Sequence, residues 1–192
     1  MKTITLKSLS ITNFKGVREF KPTFNQEKET NIGGDNRTGK TTTVDAFQYL
    51  LFGKNSKGEK DFEIKNTVDR LLNRQDHEII GVLCVDGLDM KLGRVYKEKW
   101  TKKRGSEEPE LTGHETEFMY NDIPVSQSEF KAKVESIVGE ELFKLITSPT
   151  YFNSLKWDEQ RAILSKMAGD ISDEQIAGDS EEFNQLLKEI TG

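Results

Sequence analysis

The sequence contains Gly34-Asp35-Asn36-Arg37-Thr38-Gly39-Lys40-Thr41-Thr42, a stretch that sets the architecture around it. Its glycines and its Lys-Thr pair match the spacing Gly-x-x-x-x-Gly-Lys-Ser/Thr of a phosphate-binding loop, or P-loop. In such a loop the backbone N–H groups surround phosphate oxygens, and the next helix points its positive end at them. The stretch therefore predicts a site for the phosphates of a nucleoside triphosphate.

Two side chains of the P-loop have distinct expected roles. Lys40 should reach the β- and γ-phosphates, and we predict it as the catalytic cation. The Thr41 hydroxyl should ligate Mg²⁺. The alternative, a Gly-rich turn before a helix, needs neither side chain at these positions. We therefore favour a site whose cofactors are ATP and Mg²⁺.

Segments on both sides of the P-loop fit this interpretation. Thr30-Asn31-Ile32 reads as a short strand that leads into the loop. Residues 41–52 read as a helix, and Gly53 suits its C-terminal cap. The apolar face of that helix is expected to comprise Val44, Ala46, Phe47, Leu50 and Leu51.

Much of the remaining sequence before residue 126 has strand character. The predicted strands cover residues 4–14, 20–24, 77–85, 90–100 and 118–120. The first has a slip near Lys7-Ser8, where its alternation breaks. Asp86-Gly87 predicts a hairpin turn between two of the strands, and Asn121-Asp122 predicts another turn. Residues 101–117 read as a polar connection.

From Ser126 onward the pattern is helical. Ser126-Gln127-Ser128-Glu129 is a capping box, in which the Ser and Glu side chains satisfy each other's backbone amides. The apolar stripe that follows comprises Phe130, Val134, Ile137 and Val138, and Gly139 should end this helix. Two more helices are predicted near residues 155–167 and 183–190, with a second capping box at Ser172.

These patterns predict an α/β fold: a P-loop NTPase with an antiparallel β-hairpin subdomain and C-terminal helices. We expect a β-rich P-loop lobe at residues 1–125 and a helical segment at 126–192. The net charge of -5 argues against a strongly basic nucleic-acid binder, and the single cysteine, Cys84, excludes an intrachain disulfide. No apolar run reaches the ~20 residues of a membrane span, and no secretory signal is present, so we expect a cytoplasmic protein without a membrane partner.

The P-loop and its flanks resemble a known family. The flanking matches are Leu9-x-Ile11-x-Asn13-Phe14-Lys15-Gly16 before the loop and Asp45-Ala46-Phe47-x-Tyr49-Leu50-Leu51-Phe52-Gly53-Lys54 after it, continuing through Asn55-Ser56-Lys57-Gly58 to Asp61-Phe62. Together they are similar to the N-terminal lobe of SMC-like ATPases, which include SMC proteins, RecN, RecF and the ATPase of the double-strand-break repair nuclease complex. The resemblance covers most of the chain and is strongest over residues 4–65.

The resemblance implies the N-terminal lobe of an ABC-type head. Such heads sandwich ATP between two copies. A coiled coil follows the N-terminal lobe, and a C-terminal lobe supplies the signature motif, the Walker B acid and the catalytic glutamate. The implied function is coupling of ATP binding and hydrolysis to DNA double-strand-break repair or recombination. The implied partners are DNA, the chain's own C-terminal lobe, a second head in an ATP-dependent homodimer and, as a further candidate, a nuclease.

The sequence lacks the signature Leu-Ser-Gly-Gly-Glu/Gln of the C-terminal lobe. Ile79–Asp86 imitates a Walker B strand, but Asp86-Gly87 before a second strand favours a hairpin. We therefore expect the chain to stop where the coiled coil would begin. We also expect ATPase activity to belong to the full-length protein, while these residues bind nucleotide and hydrolyse it poorly.

Two positions depart from the family. Arg37 stands where relatives have Gly; it could fit at a negative φ and contact phosphate, or it could crowd the loop. The Gln that helps hold Mg²⁺ in relatives should lie near residues 145–153, which contain none. Three polar residues stay open as substitutes: Ser148, Thr150 and Asn153.

In relatives a basic residue at the position of Lys15 approaches the nucleotide, although a solvated turn lysine is an equal alternative. The predicted nucleotide-binding set is Lys15, Gly34, Asp35, Asn36, Arg37, Thr38, Gly39, Lys40, Thr41 and Thr42. A basic run at residues 91–104 could bind DNA, but we favour a solvated hairpin balanced by the acids that follow it. Two rival functions are a small-molecule P-loop kinase and a non-catalytic nucleotide-sensing module.

Overall fold

The computed structural model describes residues 2–25, 27–65, 75–102, 109–148, 150–169, 178 and 180–191. The chain divides into two compact units, Met1–Glu140 and Glu141–Gly192. The lobe boundary expected after residue 125 stays a prediction, as does the coiled coil expected beyond the chain.

The described residues form six strands and six helices. The strands are β1 (Ile4–Phe14), β2 (Val17–Phe20), β3 (His77–Val85), β4 (Leu88–Thr101), β5 (Glu110–Tyr120) and β6 (Ile123–Val125). The helices are α1 (Lys40–Phe52), α2 (Gln127–Ile137), α3 (Glu140–Thr147), α4 (Tyr151–Ser154), α5 (Trp157–Ala168) and α6 (Glu181–Thr191). None of the described helices combines the length and the apolar character that crossing a membrane requires.

The strands form one sheet in the order β2-β1-β3-β4-β5-β6, and every neighbouring pair is antiparallel. The strand predicted at residues 30–32 is therefore wrong: this segment lies outside the named strands, and Ile32 is 38% exposed. Strand geometry is stabilised by ladder hydrogen bonds to a neighbour. Among the described residues, this segment pairs with no strand of the sheet.

Both predicted turns are confirmed, and each of them closes a hairpin. Asp86 and Gly87 have φ values of 50° and 84°, and Asn121 and Asp122 have 50° and 64°. Positive φ at both central residues is the geometry of a type I′ turn, whose twist matches that of the flanking strands. Because β3 pairs antiparallel with both β1 and β4, its end is a hairpin and not a Walker B strand.

The first strand has the predicted slip, since the register between β1 and β3 shifts between Leu6 and Ser8. The strand predicted at residues 118–120 is longer than expected, because β5 already begins at Glu110. Its first residues are polar and mostly exposed, so the sequence shows no alternation there that would indicate a strand. Backbone hydrogen bonds to the long β4, and not burial of side chains, therefore stabilise this part of β5.

Helix α1 packs on the sheet, and the predicted Ala46, Leu50 and Leu51 are buried, but the buried face is broader than predicted and leaves out Val44. Val44 is 50% exposed, while Thr43, Asp45 and Gln48 are buried. The helix approaches β3 so closely that a Cβ on Gly81 would lie 2.7 Å from Leu50. The side of α1 that is buried is therefore decided by its contact with the sheet, and not by which side of the helix carries the most apolar residues. The core comprises Leu9, Ile11, Phe14, Ala46, Tyr49, Leu50, Leu51, Ile79, Leu83, Val85, Leu92, Val95, Phe118, Phe130, Val134 and Ile137.

The helical character after residue 126 is confirmed in its main features. Ser126 accepts from the Glu129 N–H, and the Glu129 carboxylate accepts from the Ser126 N–H at 2.9 Å, which completes the capping box. The predicted helix at 155–167 corresponds to α5, and the last predicted helix to α6. Helix α3 was not predicted, and the capping box at Ser172 lies outside the described residues.

Candidate functional site

The P-loop residues form the turn that enters α1. Gly39 is the N-cap of this helix, with a φ of 97°, and no side chain caps it. The first turn also contains no acidic residue. The positive end of the helix is therefore open to an anion, as phosphate binding at a helix N-terminus requires.

The two glycines of the motif make a cradle that a side chain would fill. A Cβ on Gly34 would lie 2.7 Å from Thr38 Oγ1, and a Cβ on Gly39 would lie 3.1 Å from Val17 Cγ2. Thr38 Oγ1 is held in place because it donates to the Asp35 carbonyl at 2.8 Å. The curvature of the loop therefore depends on glycine at both positions, which fits close approach of backbone to phosphate.

Lys40 lies folded into this cradle. Its Nζ donates to the carbonyls of Gly34 at 2.5 Å and Asp35 at 2.6 Å. The ammonium is thus inside the loop, where a phosphate with its negative charge would compete with two neutral carbonyls for the same donors. This geometry fits the nucleotide that the motif predicts.

Arg37 has a φ of 67°, in the left-handed region. The expectation that it could fit at a negative φ is therefore wrong. A non-glycine residue is strained in this region because its Cβ approaches the backbone carbonyl. The loop keeps the geometry that glycine would adopt, and it does so at a conformational cost.

The predicted loop residues from Asn36 to Thr42 line one pocket of about 310 Å³, whereas Gly34 and Asp35 are not part of its lining. Its lining comprises Gly16, Val17, Asn36, Arg37, Thr38, Gly39, Lys40, Thr41 and Thr42. Thr41 is exposed in the first turn of α1. An exposed hydroxyl at this position is compatible with the predicted Mg²⁺ ligand, and that role stays a prediction.

Lys15 is ion-paired inside the lobe. Its Nζ donates to Asp45 Oδ2 at 2.5 Å and lies 5.0 Å from the centroid of the Phe62 ring. The side chain is 28% exposed and ion-paired, so it is not a freely solvated lysine. Lys15 also lines a second pocket, of about 520 Å³, together with Thr41. Its approach to a nucleotide stays a prediction.

Asp45 is the residue that sequence reasoning missed as part of the site. It lies one helical turn after Thr41 and is 6% exposed. Besides Lys15, it accepts from the Ser56 N–H through Oδ1 at 2.8 Å. Burial alone would raise the pKa of Asp45, but the hydrogen bonds from Lys15 and Ser56 outweigh it and hold the pKa below its ordinary value. A lone carboxylate within an apolar helical stretch was the signal available in the sequence.

The basic run on β4 is largely engaged within the described residues. Lys91 pairs with Asp122 at 2.6 Å, and Lys97 pairs with Glu117 at 2.8 Å. Arg94 is 6% exposed, so it faces the core instead of DNA. The favoured interpretation as a hairpin with balanced charges agrees with these pairs. Lys103 and Arg104 lie outside the described residues.

The candidate substitutes for the family's Gln stay open. Ser148 follows α3, Thr150 precedes α4 and Asn153 lies within α4. All three belong to the second unit, whereas the P-loop belongs to the first. Their role toward Mg²⁺ therefore stays a prediction.

The sequence matches one family model over nearly its whole length. The family is described as an AAA domain, AAA_23, and the match covers residues 8–191. This domain is an ATPase domain and implies nucleotide binding. A comparison with curated proteins finds no match.

A solved structure shares this fold. It comes from work on ATP-driven dimerization and DNA-stimulated activation of SMC ATPases, with a TM-score of 0.58 and 15% identity, and the match covers 84% of this chain and 98% of that chain. A structure of the recombination mediator protein RecF with ATP has a TM-score of 0.47 and 17% identity, and covers 65% of this chain. The present chain spans only 28% of that RecF chain. The predicted resemblance to SMC-like ATPases is confirmed.

Proposed function

The chain belongs to the AAA domain family, and from this premise we propose that its P-loop binds ATP with Mg²⁺ as the N-terminal part of an SMC-like ATPase head. The proposal includes the coupling of ATP binding and hydrolysis to DNA double-strand-break repair or recombination.

The observation that carries the proposal is the position of Lys40. Its ammonium donates to the Gly34 and Asp35 carbonyls inside a loop that only glycine can form at two positions. In a Gly-rich turn that binds no phosphate, a lysine would be free to extend into solvent, where its side chain keeps its rotamer entropy. The Lys40 side chain instead folds back over the uncapped N-terminus of α1, and this arrangement favours a binding site for an anion.

Each residue of the site has an assigned task in this proposal. The backbone N–H groups of the loop hold the phosphates, Lys40 balances charge on the β- and γ-phosphates, and Thr41 holds Mg²⁺. When bound, Mg²⁺ supplies neutralisation of charge during phosphoryl transfer to water. Because this transfer depends on positioning and charge, the chain needs no covalent nucleophile. We assign activation of the water to an acid of the C-terminal lobe, as in ABC-type heads.

The partners follow from the same premise. The similar SMC structure was solved in a study of ATP-driven dimerization and DNA-stimulated activation of SMC ATPases. We propose, for this chain, an ATP-dependent pairing with a second head, contact with its own C-terminal lobe, and DNA as the partner of the assembled protein. A nuclease is a further candidate partner.

The proposal is tested by titrating the chain with a fluorescent ATP analogue, with and without Mg²⁺. We expect saturable binding that Mg²⁺ strengthens. Lys40→Ala should weaken it at least about tenfold, because a hydrogen bond to a charged group contributes roughly 1.5–3 kcal/mol. Lys91→Ala is the control for loss of one positive charge, and it should bind as the unaltered chain does. Equal binding by the Lys40→Ala variant would refute the proposal.

Turnover separates the proposed ATPase from its rivals. We expect this chain alone to hydrolyse ATP slowly and the full-length protein to do so faster when DNA is added. Phosphorylation of a small-molecule acceptor would instead indicate a kinase. Tight binding without turnover by the full-length protein, with or without DNA, would indicate a nucleotide-sensing module.

A further inference from the structure

A buried carboxylate joins two chain segments beside the P-loop. Asp45 uses Oδ2 to accept from Lys15 Nζ at 2.5 Å and Oδ1 to accept from the Ser56 N–H at 2.8 Å. Asp45 is 6% exposed, and in such surroundings charge-assisted hydrogen bonds are stronger than in water. Both segments are therefore attached to helix α1 one turn after Thr41.

The first segment is the turn that carries Lys15. Lys15 has a φ of 52°, and its backbone N–H donates to the Ile64 carbonyl at 2.7 Å. Its Nζ lies 5.0 Å from the centroid of the Phe62 ring and 5.9 Å from that of Phe14. These contacts fix the orientation of the Lys15 side chain, and the Asp45 carboxylate holds its ammonium group.

The second segment, residues 55–59, is closed on itself by Asn55. Asn55 Oδ1 accepts from the N–H groups of Lys57 at 3.0 Å and Glu59 at 2.9 Å, and the Asn55 N–H donates to the Glu59 carbonyl at 3.0 Å. Opening this loop would require these internal hydrogen bonds to break. The Ser56 N–H links this loop to the side chain of Asp45 on α1.

We propose that Asp45 is a positioning residue of the nucleotide site, which holds Lys15 and the 55–59 loop as two walls of the pocket beside Thr41. The inference rests on the proposed function. The pocket, of about 520 Å³, is lined by Lys15, Thr41, Asp45, Asn55 and Ser56 among others. Asp45 does not touch phosphate in this assignment. It acts through Lys15, whose ammonium it keeps at the site before the nucleotide arrives.

The expected consequence is a preorganisation effect on affinity. Without the carboxylate, Lys15 must be ordered when the nucleotide binds, and ordering one long side chain costs about 0.5–1.5 kcal/mol, or roughly two- to tenfold in affinity. Removing a negative charge near the phosphates acts in the opposite direction, toward tighter binding. Weaker nucleotide binding without the Asp45 carboxylate therefore indicates positioning of Lys15, whereas tighter binding indicates simple repulsion between the carboxylate and the phosphates.

The experiment is a double-mutant cycle on affinity for the fluorescent ATP analogue with Mg²⁺. The variants are Asp45→Asn, Lys15→Met and the double variant. Asp89→Asn is the matched control, because Asp89 also pairs with a lysine, Lys7 at 2.7 Å, but its side chain is 52% exposed on the sheet. We expect roughly two- to tenfold weaker binding for Asp45→Asn and no change for the control. Adding Asp45→Asn to Lys15→Met should cause a smaller loss, because only the contact with the 55–59 loop then remains to be removed.

Other results would overturn the inference. Asp45→Asn binding as well as or better than the unaltered chain, or losing the same factor in the Lys15→Met background, would show that Asp45 does not act through Lys15. If Asp45→Asn does not fold, amide hydrogen exchange of the unaltered chain decides: the nucleotide must slow exchange at residues 55–59, and unchanged exchange there overturns the inference. Absence of nucleotide binding by the unaltered chain would refute the proposed function as well, which distinguishes the two failures.

Discussion

The guanidinium carbon of Arg94, on β4, lies 4.9 Å from the centroid of the ring of Tyr49, on α1. This contact joins β4 to the helix that follows the P-loop. The rings of Phe118 and Phe130 lie at 5.0 and 5.5 Å from the same carbon. Burial lowers the pKa of Arg94 to about 10, and Tyr49 partly opposes this shift. Arg94 therefore stays charged at neutral pH, and aromatic faces solvate it in place of water.

We predict that Arg94→Lys destabilises the protein more than Arg94→Met does. Lysine keeps a buried charge but loses the planar group that stacks on the rings, a loss of about 2 kcal/mol. Methionine removes the charge and fills a similar volume, so its cost should stay within about 1 kcal/mol. Urea unfolding gives both free energies. A Met variant as unstable as the Lys variant would mean that the guanidinium is itself net stabilising.

Arg37→Gly should raise the free energy of unfolding by up to about 1 kcal/mol, because glycine adopts the left-handed conformation without strain. The relevant φ is 67°. Arg37→Ala is the control, since it removes the side chain beyond Cβ and keeps the strain. Thermal or urea unfolding measures the effect, and equal stability of the Gly and Ala variants would contradict it.

Gly34→Ala should weaken nucleotide binding at least about tenfold, because a shift of the loop misaligns several charge-assisted hydrogen bonds at once. The added Cβ would lie 2.7 Å from Thr38 Oγ1. Gly33→Ala is a matched control, as a Cβ there meets nothing within 4 Å. Equilibrium titration compares the two variants. Similar affinities would show that the loop tolerates a side chain at Gly34.

The Asp45 carboxylate should make stability depend on pH in acid. Its pKa is lowered in the folded protein, so its contribution is complete above the unfolded pKa of about 3.9 and is lost as pH falls through the folded value. The difference in unfolding free energy between the unaltered chain and Asp45→Asn should therefore be greatest near neutral pH and shrink below about pH 4. Urea unfolding across a range from about pH 3 to about pH 7 tests this. A difference that is independent of pH would contradict it.

Features that depend on neighbouring residues were predictable from the sequence. The glycines and Lys40 of the P-loop follow a fixed spacing, and the type I′ turns follow from Asp86-Gly87 and Asn121-Asp122. The register slip near Lys7-Ser8 was also visible, because alternation breaks where the strand bulges. In each case the backbone conformation is decided within a few residues.

Features that depend on distant residues were not predictable in the same way. The predicted face of α1 included Val44, which is half-exposed, because the position of the sheet decides which side of the helix is covered. The strand predicted at residues 30–32 is absent from the described sheet, since strand formation needs a partner as well as a pattern. The polar first part of β5 was not predicted, because pairing with β4 stabilises it although its side chains are not buried.

The sequence by itself determined that this protein has a P-loop, since the spacing of Gly34, Gly39 and Lys40 defines that loop within one short stretch of chain. Only the tertiary structure decided that Lys15 pairs with Asp45 and that Arg94 is enclosed by aromatic rings. The physical reason is burial. A charge on a lone side chain reads as solvent-exposed in a sequence, and only the packing of distant segments supplies the partner that lets it lie inside.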